Sequence, residues 1–435
     1  MLDFFLHVVS GIVLGALTGI LPGVGISIIM LGAWPFLINS GLILLFVFYI
    51  SLLTTSQYFG SVSAIIYGVM GETTSAPAVK YGNPMFKKGL GIYCLKYTAY
   101  ASLVASVVAV GISSVVIFHY EFLQMMLTGH VRIAIITLLF IILITINSQP
   151  WLSALLLCIG LALATVGFNN LLQQHIIVKT YSVIDGGIPF IPIMIGLLVV
   201  PILLQEIKKN HFLDRIHITQ KSCSPGWIPN WAMIRGTAVG FVCGLVPGVS
   251  YTISSNFAAA LESKISASKI RPLIAAEAAN NSAAVSAILP VLIFAIPVVP
   301  SEVILLAMAE MSGYTNHTAI TVLKEYWLII ILSIISINGL AFLLARTSYT
   351  WFLKIFDFVK AYIYYGILFA IIAVAIFIGG QYNDIFLASI VLAISTLVGI
   401  YIKNFDAKVI GVIGFLLSDQ YLSEIYRQLL MKEFF

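Results

Sequence analysis

Apolar runs of about 17–25 residues, separated by short polar stretches, recur along the whole chain, a spacing that predicts membrane-crossing helices rather than barrel strands. Nearly uncharged segments lie at about 4–35, 41–70, 97–118, 133–147, 151–167 and 188–204. A polar stretch, 205–235, carries Lys208, Lys209, Arg215, Lys221 and Arg235 with Pro225 and Pro229, and reads as a cytoplasmic basic linker. Apolar segments resume at 236–261, 272–300, 303–323, 326–345, 361–378, 385–402 and about 409–418. The pattern predicts an all-α polytopic membrane protein of about 10–12 transmembrane helices, with a first repeat over 1–204 and a second over 236–435.

The division into repeats rests on an internal echo. Gly11, Gly15 and Gly19 lead into Pro22-Gly23-Val24, and Gly236, Gly240 and Gly244 lead into Pro247-Gly248-Val249, six positions at a constant offset of 225. A second echo, Ser61-Val62-Ser63-Ala64-Ile65 against Ala284-Val285-Ser286-Ala287-Ile288, has an offset of 223. Glycine at every fourth position smooths one helix face, so that another backbone can approach closely. Packing alone does not require the Pro-Gly that ends both stripes. Such a pair breaks a helix and frees backbone groups, which membranes tolerate only beside protein or a wet cavity. Paired breaks at matching places in two halves point to a transporter site.

Basic residues orient the halves. The loop near Asn39 holds no Lys or Arg, whereas Lys80, Lys87, Lys88 and Lys96 follow the second motif of the first half. In the second half Lys264, Lys269 and Arg271 follow the broken segment, and 272–323 has no Lys or Arg. By the positive-inside rule the repeats are inverted. The linker and the 262–271 loop both read as cytoplasmic with one apolar segment between them, so that segment is expected to be a re-entrant hairpin turning at Pro247-Gly248. The first segment, at 1.5 Å per residue, is too long for one crossing of a ~30 Å core and suits a hairpin as well.

Composition removes most other classes. With 60% hydrophobic and 9% charged residues, the chain cannot hide its apolar surface in water, and the bilayer must be its solvent. The net charge of +5 is explained by loops facing anionic lipid, not by nucleic acid. Cys94, Cys158, Cys223 and Cys243 lack metal-ligand spacing and read as small buried hydrophobes, and no metal site is expected. The apolar N-terminal stretch is too long for a signal peptide and is expected to be retained. No Gly-x-Ser-x-Gly or His-Glu-x-x-His occurs, so an intramembrane enzyme is disfavoured and no catalytic residue is assigned. Among transport proteins, a channel and a carrier of any small solute both stay open.

Several stretches together carry a resemblance: Gly15–Gly23 and Gly240–Gly248; Tyr58-Phe59-Gly60-Ser61; Gly71-Glu72-Thr73-Thr74-Ser75-Ala76; Gly82-Asn83-Pro84-Met85-Phe86-Lys87-Lys88-Gly89; Glu277-Ala278-Ala279-Asn280-Asn281; Ile288-Leu289-Pro290; and Ala295-Ile296-Pro297-Val298. Over roughly 11–110 and 236–310 the chain resembles the large membrane subunit of the tripartite tricarboxylate transporters. It departs from that pattern at Met70, where a proline is expected, and at Val298, where a glycine is expected. The resemblance implies a permease in the bacterial inner membrane that imports tricarboxylates or other small carboxylates on a sodium or proton gradient. It also implies a small membrane subunit and a periplasmic solute-binding protein as partners, and no cofactor besides the coupling ion.

Small carboxylates are best held by neutral donors and helix N-termini, since a strongly cationic site at the midplane would be costly and hard to leave. The candidates are Pro22, Gly23, Gly25, Ser61, Ser63, Thr73, Thr74 and Ser75 in the first half, and Pro247, Gly248, Asn280, Asn281 and Ser286 in the second. Glu277 is the candidate coupling carboxylate, although only six residues separate it from Arg271 and the membrane surface. The adjacent amides of Asn280 and Asn281 cannot both face lipid, and point about 100° apart on a helix.

Overall fold

The computed structural model describes residues 2–21, 24–37, 39–68, 73–126, 129–166, 168–169, 174–175, 187–208, 230–246, 251–294, 297, 299–314, 316–347, 361–382 and 384–433. Pro22, Gly23, Glu72, Pro247, Gly248, most of the linker and Cys223 lie outside these residues. The main helices are α1 (Leu2–Ile20), α2 (Ile26–Gly32), α3 (Leu42–Tyr67), α4 (Gly91–Phe118), α5 (Gly129–Ile146), α6 (Pro150–Ala164), α7 (Phe190–Lys208), α8 (Asn230–Gly244), α9 (Tyr251–Ile265), α10 (Ile270–Ser286), α11 (Ile288–Phe294), α12 (Pro300–Met311), α13 (Trp327–Thr347), α14 (Ala361–Tyr382), α15 (Ile385–Tyr401) and α16 (Phe405–Glu433). Among the described residues, seven helices are long and apolar enough to cross a membrane, and three shorter apolar ones accompany them. The chain is therefore an all-helical, multi-pass membrane protein. The strand among the described residues is one two-residue bridge, Phe168–Asn169 against Gln174–His175.

The chain forms two compact units, each drawing on both halves of the sequence. Unit 1 comprises Met1–His119 and Asn210–Ala361, and unit 2 comprises Tyr120–Lys209 and Tyr362–Phe435.

Unit 1 is organised by the two glycine stripes. A Cβ at Gly15 would stand 2.5 Å from the Leu52 carbonyl oxygen, and one at Gly19 would stand 2.6 Å from that of Ser56, so α1 lies with its backbone on α3. The contacts climb together: Gly11 meets Phe48, Gly15 meets Leu52 and Gly19 meets Ser56. The two helices are consequently parallel, and the chain between them must double back. It does so through α2, and His7 Nε2 lies 3.0 Å from Ser40 Oγ where the return closes.

Gly236, Gly240 and Gly244 repeat the arrangement against the carbonyls of Ala275, Ala279 and Ala283 on α10, again in parallel. Here α9 makes the return. At 15 residues, or roughly 22 Å at 1.5 Å per residue, it is too short to cross a ~30 Å core. Arg235 at the start of α8 bonds Glu262 near the end of α9 at 2.9 Å through Nε and Nη2, which closes this hairpin. Arg271 Nε joins the same carboxylate at 2.9 Å.

The long helices α3 and α10 run antiparallel. Ser61 pairs with Glu277, whereas Ile50, Leu53, Thr54 and Gln57 line one cavity with Asn281, Ala284, Val285 and Ile288. Helix α4 follows α10 in the same direction, with Ser102 on Asn281. The C-terminus of α3 ends in an αL cap at Gly68 (φ +69°), and Asn83 Nδ2 donates to the freed carbonyl of Ile65 at 3.0 Å. Pro84 cannot continue an α-helical ladder, and π-helical turns at Ala78–Gly82 and Phe86–Leu90 flank it. Gly82 packs on Ile65 and Leu273, so the loop of Lys80, Lys87 and Lys88 lies at the same end of unit 1 as Lys269 and Arg271.

Unit 2 pairs α6 with α16 and α7 with α15. Gly160 and Gly196 sit against the carbonyls of Gly411 and Leu392. Pro201 lies within α7 and follows a π-helical turn at Ile195–Val199, which relieves the clash a proline makes with the preceding turn. Asn147 Oδ1 accepts from Asn404 Nδ2 at 2.8 Å. Of the described cysteines only Cys94 is buried; Cys158 is exposed, which an apolar thiol tolerates against lipid, and Cys243 is half-buried.

Candidate functional site

Four long apolar helices of unit 1, α3, α4, α10 and α13, place polar side chains at their midpoints rather than at their ends. On α3 these are Thr54, Gln57, Tyr58 and Ser61, all 8% exposed or less. Facing them are Ser102 and Ser106 on α4, Glu277, Asn280 and Asn281 on α10, and Asn338 on α13, all buried. Apolar residues surround this layer, so each polar atom needs a partner within it.

The pairing crosses between the two halves of the sequence. Ser61 Oγ donates to Glu277 Oε2 at 2.6 Å. Tyr58 Oη donates to Asn338 Oδ1 at 3.3 Å. Asn281 Nδ2 donates to Ser102 Oγ at 2.8 Å and to the Glu277 carbonyl at 3.0 Å. Glu277, six residues beyond Arg271, is 3% exposed. Arg271 instead turns to Glu262, while the Glu277 side chain faces α3. Among the described residues no basic side chain pairs with Glu277, and a neutral hydroxyl is what it receives.

The predicted site residues separate into groups. Ser61, Asn281 and Glu277 meet in the layer. Asn280 is buried beside them, with its Oδ1 lacking a hydrogen-bond partner. Ser63 Oγ caps the Gly19 carbonyl at 3.0 Å and so ties α3 to the end of the first hairpin. Ser286 Oγ donates to the Ala283 carbonyl at 3.2 Å and abuts Gly244 at the end of the second. The carbonyl of buried Thr74 accepts from Ser255 Oγ on α9 at 3.0 Å. The hydroxyl of Ser75 lies over Gly60, where a Cβ would come within 3.1 Å. Gly25 has open space around its Cβ position. Thr73 lies in a short 3₁₀ turn, its side chain outside the described set, as are Pro22, Gly23, Pro247 and Gly248.

Further polar residues belong to this region although spacing did not single them out. Tyr251, which opens α9, donates to Glu302 Oε1 at 2.7 Å, and the Val299 amide donates to Oε2 at 3.2 Å. Tyr49 Oη lies 3.2 Å from Ser301 Oγ. These contacts join α3, α9 and the start of α12. A usable signal was present for Gln57 and Asn338, which are amides near the middle of otherwise apolar segments. Among the described residues, no three His, Cys, Asp or Glu side chains converge as a metal site would require.

The arrangement is a buried layer of hydroxyls and amides with the Glu277 carboxylate among them, bracketed by the ends of two hairpins, which suits binding of small ions better than covalent chemistry. A protein of Agrobacterium vitis, described as an uncharacterized 52.8 kDa protein in the TAR-I ttuC′ 3′ region, is 26% identical over 324 residues, covering 70% of this chain and 63% of the relative. The match thus spans under two thirds of that relative's length. No solved structure matches the chain. The profile of the Tripartite tricarboxylate transporter TctA family matches residues 5–414. The chain belongs to that family, a family of transporters and not of enzymes.

Proposed function

We propose that the chain is the permease subunit of a secondary transporter that imports tricarboxylates or other small carboxylates across the bacterial inner membrane on a sodium or proton gradient. A periplasmic binding protein delivers the substrate, and a small membrane subunit completes the complex. The observation that carries this reading is the Glu277 carboxylate, buried at the middle of α10, without a basic partner among the described residues and bonded across the halves by Ser61. A charge placed there costs at least about 2.5–3.5 kcal/mol, so the group must bind a proton or accompany a cation during the cycle.

We read residues 1–204 and 236–435 as inverted repeats joined by the 205–235 linker. This reading is supported by α1 parallel to α3, α8 parallel to α10, and α3 antiparallel to α10. It is also supported by the gathering of basic residues at one end of unit 1. Contacts to substrate or coupling cation are assigned to Ser61, Ser63, Thr73, Thr74, Ser75, Asn280, Asn281 and Ser286, and to backbone freed at Pro22-Gly23, Gly25 and Pro247-Gly248.

The test is uptake of a panel of labelled carboxylates by proteoliposomes, with the cognate binding protein supplied. A carrier saturates with substrate and stops when the cation gradient is collapsed. Flux that neither saturates nor needs the gradient would make the protein a channel. For orientation, Lys88→Cys and Thr318→Cys, in a background without the native cysteines, should react with an impermeant reagent from opposite sides. Labelling from the same side would remove the inverted-repeat reading.

A further inference from the structure

A small cavity of about 10 Å³ lies within the midplane layer, between α3, α4, the α10–α11 stretch and α13. Its polar lining is Thr54, Gln57, Ser106 and Asn281, and aliphatic side chains such as Ile50, Val285 and Ile334 close the rest. The size suits one water or one small ion. Two observations decide between them.

The first is the donor set. Thr54, Gln57, Ser106 and Asn281 are the lining residues that carry a neutral side-chain oxygen. Both hydrogen bonds of the Asn281 amide use Nδ2, to Ser102 and to the Glu277 carbonyl, which leaves its Oδ1 for the cavity. The Gln57 amide is 2% exposed and its Nε2 has no hydrogen-bond partner among the described residues, so no hydrogen bond there sets which end of the amide faces the cavity. Either end of that amide can therefore turn to a ligand. Hydroxyl and amide oxygens are the ligands of a hard cation, whereas a basic or sulfur-bearing side chain would discourage one.

The second is the charge of Glu277. It lies one helical turn from Asn281 on α10, about 5.4 Å along the axis, and its partner Ser61 lies one turn from Gln57 on α3. The carboxylate and the cavity thus occupy adjacent levels of the same α3–α10 interface. When the carboxylate is charged, a cation one turn away offsets it, which a water does not. The hairpin ends bracket this level, with Gly19 against Ser56 and Gly60, and Gly244 against Ala283 and Ser286.

We infer that Thr54, Gln57, Ser106 and Asn281 form a binding site for a dehydrated monovalent cation of sodium size, with Glu277 as its counter-charge. The inference rests on the carrier reading above and deepens it, naming sodium as the coupling ion and locating it apart from the Pro-Gly breaks.

The test is equilibrium binding of radioactive sodium to the full chain in lipid nanodiscs, without carboxylate substrate. Saturable binding that lithium displaces and potassium does not is expected for the wild type. Gln57→Met keeps the side-chain size and removes the amide, and should weaken sodium binding by about tenfold or more. Thr54→Val removes one oxygen with little change of shape and serves if Gln57→Met does not fold. Gln57→Glu, which restores oxygen ligands, should bind sodium at least as tightly as the wild type. Glu277→Gln should lose affinity even though no lining atom changes. Sodium binding unchanged in both Gln57→Met and Thr54→Val, or absent from the wild type, would overturn the inference and leave the cavity to a water. Carboxylate uptake is measured separately: coupled uptake without sodium binding sinks this inference alone, whereas sodium binding without coupled carboxylate uptake sinks the carrier reading.

Discussion

The two hairpins of unit 1 share a glycine stripe and little else. In the first, α1 lies against Phe48, Leu52 and Ser56 of α3, and the hairpin closes through one contact between His7 and Ser40. In the second, α8 lies against Ala275, Ala279 and Ala283 of α10, and Glu262 clamps Arg235 and Arg271 across three helices. The carbonyl partners of the two stripes are 227 positions apart (275 against 48, 279 against 52, 283 against 56), whereas the echo around Ser61 and Ala284 runs at 223. The second seam is thus slid by one helical turn relative to the repeat in sequence. Repetition preserves backbone contact, while each copy is secured by its own side chains, one by neutral hydrogen bonds from Ser40 and Ser63 and the other by the buried charge of Glu262.

The largest expected effect breaks what the two share. Gly15→Ala and Gly240→Ala each drive a methyl into a backbone carbonyl that cannot turn aside, and should destabilise by about 1–3 kcal/mol, the usual range for overpacking. Gly25→Ala, which meets nothing within 4 Å, should stay near wild type. Thermal unfolding of purified protein checks all three, and equal melting points would mean that the seams are looser than drawn.

Next comes the difference between the locks. Glu262→Gln leaves two guanidinium groups facing a neutral amide. Breaking a fully buried pair costs about 3–5 kcal/mol, but the arginine side chains are 32% and 25% exposed, so about 2 kcal/mol is expected after solvent screening. Protease accessibility of positions 251–265 should rise with it. The smallest effect belongs to the first hairpin: Ser40→Ala should cost about 0.6 kcal/mol, the average for an interhelical hydrogen bond in a membrane protein. If Ser40→Ala proves as damaging as Glu262→Gln, the asymmetry between the hairpins is wrong.

Much of this was legible in the sequence, for identifiable reasons. Glycine at every fourth position announces a seam because only backbone can fill the space a missing side chain leaves, and both seams lie where the stripes predict. The short return in each half followed from too many residues for one crossing and from basic loops on either side of one segment. The partners of the polar residues were not legible. Glu262, Arg235 and Arg271 looked like separate loop charges, and His7 like an isolated histidine. Ser61 meets Glu277, and Ser102 meets Asn281, only because α3 and α4 flank α10, and no spacing within one half encodes a contact with the other. The surroundings of Glu277 were not legible either, because distance along the chain from Arg271 does not say which way a side chain turns. The guanidinium turns toward α8 and α9, and the carboxylate turns inward.

The central claim is that Glu277 couples a cation to carboxylate movement, and Glu277→Gln tests it most directly, in proteoliposomes supplied with the binding protein. Gradient-driven accumulation of labelled carboxylate and exchange of internal for external carboxylate are measured side by side. A glutamine keeps the size and can still accept the Ser61 hydrogen bond, but it carries no charge and takes up no proton. The account predicts accumulation reduced by about tenfold or more, with exchange continuing and the protein still folded. Accumulation within about twofold of wild type would contradict it and remove Glu277 from the coupling mechanism.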